Sequence, residues 1–267
     1  MIIDSHIHVG AWAHADFLGR ASDLPTTFAM LRQAGVDGAA LMPSDRCDNA
    51  GLRDAVLRAV DAGEAPGPLW LLAWVRAGGA GTPGAEDLAW VRRHRRDVMG
   101  LKLHPSLSRV RVSDDAFRPA LDLAAELGLL VLVHCGRWAE IAGYAHALDA
   151  AARYPGVRFL LAHAGGDTPP NASAAAAAVL ERRLANVSFE ISGLREYWVI
   201  ERNVRLLGAG RYLLGSDFPL AHPLMYIGAV RGMDLEEDER GQILGGNALA
   251  LLGPPLAGSA ATRAPCP

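Results

Sequence analysis

The stretch Leu129–Gly136, with the sequence LLVLVHCG, shows the pattern from which the fold is predicted. It is an apolar run of strand length that ends in a histidine, His134, shortly before a glycine that breaks the strand. Similar runs alternate with stretches that carry one apolar face at helical spacing, such as Ala116–Leu127 and Ala145–Tyr154. The eight predicted strands are Ile2–Val9, Asp37–Ser44, Leu69–Arg76, Val98–Pro105, Leu129–Gly136, Arg158–Gly165, Asn186–Gly193 and Tyr212–Pro219.

The alternation of strands and helices predicts parallel β–α units joined by right-handed crossovers. Successive strand ends are evenly spaced, since 30 residues separate His104 from His134 and 29 separate His134 from His163. Eight units of this length predict an α/β fold, a (β/α)8 TIM barrel formed as a single domain by residues 1–253. An open doubly wound sheet is the alternative. Residues 254–267 are rich in Pro, Ala and Ser, which predicts a flexible C-terminal tail.

The composition excludes several classes of protein. Apolar residues make up 51% of the chain and charged residues 21%, which excludes wholesale disorder. The net charge of −3 indicates neither a nucleic-acid partner nor an anionic membrane partner, and no apolar run reaches the ~18 residues of a membrane span. We expect a small-molecule substrate instead, and the Ala-rich stretch Ala172–Ala178 is compatible with a homodimer.

The ends of the chain and the cysteines indicate where the protein is located. The N-terminus lacks the basic start of a signal peptide. The three cysteines, Cys47, Cys135 and Cys266, are odd in number and scattered, which argues against a disulfide framework and against a cysteine-rich zinc site. Both observations predict a cytoplasmic protein.

Polar side chains that can bind metals recur at the carboxyl ends of the predicted strands. In a parallel barrel these ends share one face, which is the face that carries active sites. His6 and His8 lie at positions i and i+2 of the first strand, so both imidazoles face the barrel axis, where they can chelate a divalent cation. The other strands contribute His104, His134, His163 and Asp217.

Each of these residues also has an interpretation without function. An isolated His-x-His pair is a weak signal, His163 could be a core histidine bonded to the backbone, and Asp217 could be a turn residue before Pro219. The combination favours a metal site, because buried imidazoles without partners are costly in a core.

Five motifs distributed over residues 2–252 occur together: Asp4-Ser-His6-Ile-His8, Gly100-Leu-Lys102-Leu-His104-Pro105, Val133-His134-Cys135, Leu161-Ala-His163-Ala-Gly165 and Leu214-Gly-Ser-Asp217-Phe-Pro219. Together they resemble the amidohydrolase superfamily. The resemblance is to the amidohydrolase-related branch, which includes small metal-dependent hydrolases and aminocarboxymuconate semialdehyde decarboxylase-like enzymes.

The resemblance implies a barrel with one divalent metal ion held by His6, His8, His134 and Asp217, and His163 beside a metal-bound water. Zn2+ suits such histidine-rich ligands best, and Mn2+, Fe2+ or Co2+ can replace it. Asp217 and His163 are the predicted catalytic residues, because Asp217 can accept a proton from the attacking water and His163 can carry a proton near neutral pH.

Lys102 and His104 are predicted to contact the substrate, for which a carboxylate is the expected group. Two alternatives stay open for Lys102. In some superfamily members a lysine on this strand is carboxylated and bridges two metal ions, and Lys102 could instead pair with a buried carboxylate such as Glu190. Further substrate contacts are predicted in the loops, where arginine can bind a carboxylate with two hydrogen bonds: Arg137, Trp138 and Arg195.

These residues predict a metal-dependent hydrolase. In the expected reaction a metal-bound water attacks an ester, lactone or amide-type carbon of a small, carboxylate-bearing substrate. The alternative is a metal-dependent, non-oxidative decarboxylase of a small unsaturated or aromatic acid, which would use the same ligands. A metal-independent lactonase and a non-catalytic barrel that only binds its ligand are two further alternatives.

Overall fold

The computed structural model describes residues 1–136 and 138–259. The nine strands in this part of the chain form one sheet in the order β2-β1-β3-β4-β5-β6-β7-β8-β9. Neighbouring strands are parallel except for β1 and β2, which are antiparallel. The strands are β1 (Ile3–Ala11), β2 (Ala21–Ser22), β3 (Gly38–Pro43), β4 (Leu69–Trp74), β5 (Val98–Leu103), β6 (Leu130–Val133), β7 (Phe159–Leu161), β8 (Val187–Glu190) and β9 (Tyr212–Leu213).

Helices connect the parallel strands, which makes the fold a mixed α/β fold. The N-terminal ends of three helices are fixed by capping residues. The side chains of Asp23, Asp48 and Thr168 accept hydrogen bonds from free N–H groups of the first turn. Among the described residues, no helix is long and apolar enough to cross a membrane. The helices are α1 (Leu24–Ala34), α2 (Asn49–Asp61), α3 (Pro83–Arg93), α4 (Pro105–Ser108), α5 (Arg118–Leu127), α6 (Ala139–Ala142), α7 (Tyr144–Arg153), α8 (Pro169–Glu181), α9 (Tyr197–Leu207), α10 (Pro223–Gly232), α11 (Glu237–Gly241) and α12 (Asn247–Leu252).

The eight predicted strands are all present, but most end earlier than predicted. The prediction Arg158–Gly165 corresponds to β7, which ends at Leu161, because His163 has a φ of 59° that a strand does not allow. Asp217, inside the prediction Tyr212–Pro219, has the same φ of 59°, and β9 ends at Leu213. The two-residue strand β2 was not predicted, since it is too short to show a periodic pattern.

The sheet is curled, so that its first parallel strand meets the segment that follows its last one. The N–H of Ser5 donates to the carbonyl of Leu214 over 2.9 Å, and the N–H of His8 donates to the carbonyl of Phe218 over 2.7 Å. A parallel bridge also pairs Ile7 with Phe218. β1 therefore has backbone partners on both sides, β3 and the segment after β9.

Alternate side chains of the strands fill two separate apolar clusters, as the two faces of a pleated strand require. Leu130 and Leu132 of β6 belong to a smaller cluster with residues from other strands and with α12. Val131 and Val133 point the other way, into the larger cluster beneath the helices, where Cys135 is also buried.

The first residues of the predicted flexible tail, residues 254–267, form hydrogen bonds to β4. The N–H of Leu256 donates to the carbonyl of Leu69 over 2.7 Å, and the N–H of Leu69 donates to Ser259 Oγ over 3.1 Å. Leu256 and Ser259 are buried, so residues 254–259 are fixed to the first residue of β4. Residues 260–267 lie outside the described residues.

The Ala-rich stretch lies in α8 and packs closely, as its small side chains predict. Ala172, Ala175 and Ala176 are fully buried. A Cβ added to Gly165 would lie 2.6 Å from the Cβ of Ala175, so this face of the helix leaves no room for larger side chains. The use of its exposed face in a homodimer stays a prediction.

Ala175→Leu is expected to destabilise the protein by about 1–3 kcal/mol, because three additional carbons must enter a fully packed contact. Ala177→Leu is the matched control, since Ala177 is exposed on the same helix. Urea unfolding of both variants measures the difference, and equal midpoints would contradict the close packing of α8.

Candidate metal centre

The first strand and the last loop of the sheet bring three predicted ligands together. His6 and His8 lie on β1 and are buried, with their Nε2 atoms 3.0 Å apart. Asp217 Oδ1 lies 3.4 Å from Nε2 of His6 and 3.3 Å from Nε2 of His8. One ligand atom from each residue lies within 4.8 Å of the other two, which is close enough for all three to bind one ion.

The other nitrogen of each imidazole on β1 is held by an acceptor. Nδ1 of His6 lies 3.0 Å from Oε1 of Glu190, and Nδ1 of His8 lies 2.8 Å from the carbonyl of Pro43. Since both acceptors lack a proton to give, Nδ1 of each neutral ring carries the proton and Nε2 carries a lone pair. Two lone pairs and the Asp217 carboxylate therefore face one another, and this donor set fits a divalent cation.

Lys102 shows that a positive charge is accommodated at this cluster. Its side chain is buried on β5, and Nζ lies 2.8 Å from Nε2 of His6. The ammonium donates to one of the lone pairs described above. Burial lowers the pKa of Lys102 to about 8, although the charges of Asp217 and Glu190 partly oppose that shift.

The titration of the three ligand residues favours the protonation states that a metal requires. Burial lowers the pKa of both His6 and His8, so that the imidazoles are neutral at pH 7. Burial alone would raise the pKa of Asp217, but the attraction of its carboxylate to the protonated forms of His6 and His8 brings that pKa below its ordinary value. Neutral imidazoles beside an ionised carboxylate form a ligand set that needs no proton to be removed before a metal binds.

His134, the fourth predicted ligand, lies in a row of aromatic rings beside the cluster. Its Nδ1 lies 3.1 Å from Nε2 of His163, and its ring stacks on His104 with centroids 3.9 Å apart. His104 stacks in turn on Trp74, and the ring of His163 lies 5.8 Å from that of His6. The three-residue group that could hold an ion does not include His134, whose role as a ligand stays a prediction.

Glu190 was considered from the sequence only as an alternative partner of Lys102. In the structure its hydrogen bonds are formed with other residues. It is fully buried on β8, and its Oε1 accepts from Nδ1 of His6, from the N–H of His163 over 2.9 Å and from the hydroxyl of Ser192 over 2.8 Å. The i, i+2 spacing of Glu190 and Ser192 was the available signal, because it puts both polar side chains on the same face of one strand.

Glycines leave room for the rings of two histidines. A Cβ on Gly136 would lie 2.9 Å from Nε2 of His134, and a Cβ on Gly193 would lie 2.9 Å from Nδ1 of His163. Gly193 also has a positive φ of 73°, which favours glycine. These two positions explain why glycines follow the predicted ligand-bearing strands so closely.

Comparison with known proteins identifies the family. The Amidohydrolase family model matches residues 3–253, which is nearly the whole chain. The chain belongs to the amidohydrolase family. The resemblance predicted from the five motifs is therefore confirmed, and the protein is an enzyme of the amidohydrolase superfamily.

Solved structures show the same fold as this amidohydrolase. One is a TIM-barrel protein from Bordetella bronchiseptica, with 17% identity, a TM-score of 0.73 and coverage of 94% of this chain and 98% of that one. Another is 5-carboxyvanillate decarboxylase from Sphingomonas paucimobilis, with 15% identity, a TM-score of 0.69 and coverage of 94% and 98%. A third is an amidohydrolase from Burkholderia multivorans with bound zinc, with 17% identity, a TM-score of 0.69 and coverage of 96% and 100%. No curated protein matches the chain significantly.

The predicted substrate contacts in the loops of this amidohydrolase are only partly described. Arg137 lies outside the described residues. Trp138 is exposed just before α6, and Arg195 is 82% exposed with Nη2 3.7 Å from Oε1 of Glu196. Among the described residues, neither Trp138 nor Arg195 takes part in the hydrogen bonds of the cluster, so their roles stay predictions.

A cavity of about 530 Å³ borders the cluster of the amidohydrolase at Trp74. The ring of Trp74 lines this cavity and lies 5.5 Å from the ring of His8, centroid to centroid. Arg76 also lines it, held by Asp87 through bonds of 2.9 and 2.7 Å. Among the described residues that line the cavity there is no candidate metal ligand, and Trp74 is the residue that connects the cavity with the cluster.

The amidohydrolase is expected to carry about one divalent metal ion per chain, and His8→Ala is expected to lose most of it, because one of three converging donors is removed. His146→Ala on α7 is the matched control and should retain the metal. Elemental analysis of protein purified without chelator measures both. Equal metal in wild type and His8→Ala would contradict the assignment of His8 as a ligand.

Proposed function

We propose that this amidohydrolase is a metal-dependent hydrolase of a small, carboxylate-bearing substrate, with an ester, lactone or amide-type carbon as the point of attack. The observation that carries the proposal is the convergence of Nε2 of His6, Nε2 of His8 and Oδ1 of Asp217. These three residues would hold the metal, with His134 as the fourth ligand. Zn2+ suits the ligands, and the Burkholderia amidohydrolase of the same fold has bound zinc.

The chain's own residues supply the movement of protons. A divalent metal ion at this position would lower the pKa of a water molecule toward ~7 and polarise a substrate carbonyl. Asp217 accepts the proton of the water at its carboxylate, which is ionised at neutral pH because its pKa is lowered. His163 is the second proton carrier, with its Nδ1 hydrogen bonded to Ser192 and its Nε2 hydrogen bonded to Nδ1 of His134.

The substrate carboxylate is proposed to bind at Lys102, which is a buried ammonium group beside the ligands. The cavity at Trp74 supplies room for the rest of the molecule. His104 stacks on Trp74, which lines this cavity, and on His134 of the row of histidines. A pocket of this size fits a small molecule.

We further propose that the curled sheet is a closed (β/α)8 barrel. Eight strands are parallel, and β1 forms backbone hydrogen bonds both to β3 and to the segment after β9. The similar fold of the Bordetella TIM-barrel protein supports this proposal. In a barrel the polar ends of all strands share the face on which catalysis takes place.

A metal-dependent, non-oxidative decarboxylase is the second candidate. It is favoured by one observation, the similarity in fold to 5-carboxyvanillate decarboxylase, and it would use the same ligands. The products separate the two reactions, because a hydrolase incorporates solvent oxygen into the product and a decarboxylase releases CO2. Incubation in ¹⁸O-labelled water with a panel of lactones, esters, amides and aromatic acids distinguishes them. Label in the organic product supports the hydrolase. Release of CO2 together with an unlabelled organic product supports the decarboxylase.

Asp217→Asn is expected to reduce turnover by about 10²–10⁴-fold, because the amide keeps the shape of the side chain but accepts no proton. Asp234→Asn, the same change at an exposed position, is the control and should turn over normally. Steady-state kinetics on the zinc-loaded variants measures the effect. Normal turnover by Asp217→Asn would remove Asp217 from the mechanism, and full activity after chelation would favour a metal-independent lactonase.

A further inference from the structure

We infer that Glu190 is a positioning residue which fixes the tautomers of three histidines, His6, His163 and His134. One buried carboxylate would thereby leave a lone pair on Nε2 of each of the two outer rings, His6 and His134. The inference rests on the proposed function for the use of these lone pairs, but its evidence is the hydrogen-bond network on β8.

The first arm of the network is direct. Glu190 is fully buried and, as a carboxylate, it can only accept hydrogen bonds. Nδ1 of His6 lies 3.0 Å from its Oε1, so Nδ1 must carry the proton. Nε2 of His6 then has the lone pair that faces His8 and Asp217.

The second arm passes through a hydroxyl group. Ser192 donates its only hydroxyl proton to Oε1 of Glu190 over 2.8 Å, and its N–H donates to Oε2 over 2.8 Å. Nδ1 of His163 lies 2.8 Å from the same hydroxyl oxygen. Because that oxygen has no second proton to give, Nδ1 of His163 must donate to it, and Nε2 of the neutral ring carries the lone pair.

The second arm continues to the predicted fourth ligand. Nε2 of His163 lies 3.1 Å from Nδ1 of His134, so His134 donates from Nδ1 and keeps its own lone pair on Nε2. Gly136 has no side chain that would cover this Nε2. Through Ser192 and His163, Glu190 thus determines the tautomer of His134, with which it has no direct hydrogen bond.

The position of Glu190 is itself tightly defined. A Cβ on Gly215 would lie 2.2 Å from its Oε2, so only glycine at position 215 admits the carboxylate. The N–H of His163 adds a further bond to Oε1 over 2.9 Å. His8 provides an internal control, because its Nδ1 is held by the carbonyl of Pro43 and not by Glu190.

The experiment records long-range ¹H–¹⁵N spectra of the histidine rings in the full-length chain, both metal-free and loaded with Zn2+. In the wild type, His6, His8, His134 and His163 are expected to be protonated at Nδ1. Ser192→Ala is expected to change the tautomer of His163 and His134 but not that of His6 or His8. Ser192→Thr, which keeps a hydroxyl, is expected to restore the pattern, and Glu190→Leu, which removes both acceptor oxygens, is expected to change all but His8.

The affinity for Zn2+ is the second measurement. Ser192→Ala is expected to weaken Zn2+ binding by about 10–100-fold in competition with a chelator, and Ser192→Thr should recover it. The inference would be overturned if the histidines of Ser192→Ala kept the wild-type tautomers. It would also be overturned if wild-type His163 carried its proton on Nε2. If the tautomers behave as expected but the wild type binds no Zn2+, the network stands and the proposed metal-dependent function fails.

Discussion

Backbone hydrogen bonds between β1 and the segment after β9 determine the geometry of the whole candidate site. The N–H of Asp217 donates to the carbonyl of His6 over 2.8 Å, so two proposed ligands from opposite ends of the chain are joined through their main chains. The hydroxyl of Ser5 adds a bond to the carbonyl of Leu214, 209 residues away. Because backbone atoms make these contacts, the distance between the two ligands is set by the curvature of the sheet and not by side-chain rotamers.

The interior beneath the site holds several buried polar groups, and most of them are hydrogen bonded, although Oδ2 of Asp4 has no hydrogen-bond partner among the described residues. A buried polar group costs free energy unless it is hydrogen bonded, and a buried charge costs more. Burial raises the pKa of Asp4 to about 7, even though its Oδ1 accepts hydrogen bonds from the N–H groups of His6 and Ser216. Glu190 receives its donors from three other strands and loops in the same way. The two apolar clusters of the barrel-like sheet supply the stability that such a polar layer does not.

The sequence predicted the strands and the paired histidines because both depend on local patterns. His6 and His8 are two residues apart on one strand, so the period of the strand alone places them together. The sequence did not predict the bond of Glu190 to His6, because that bond spans 184 residues and no local pattern reports it. The positive φ values of His163 and Asp217, which lie inside two predicted strands but beyond the ends of β7 and β9, depend on tertiary contacts. Arg195 was chosen for its residue type and its place in the loop after a predicted strand, and neither feature determines where its exposed side chain points.

The direction of proton transfer is the physical difference between the proposed hydrolysis and the alternative decarboxylation. Negative charge develops in both reactions and would be stabilised by the same ligand residues, so these residues do not distinguish hydrolysis from decarboxylation. Hydrolysis removes a proton from water, whereas decarboxylation must deliver a proton to a carbon atom. Asp217, with its lowered pKa, is ionised at neutral pH and has no proton to deliver. A decarboxylase built on this site would have to use Lys102 or His163 as its donor, whereas a hydrolase uses the carboxylate in the state in which the fold already holds it.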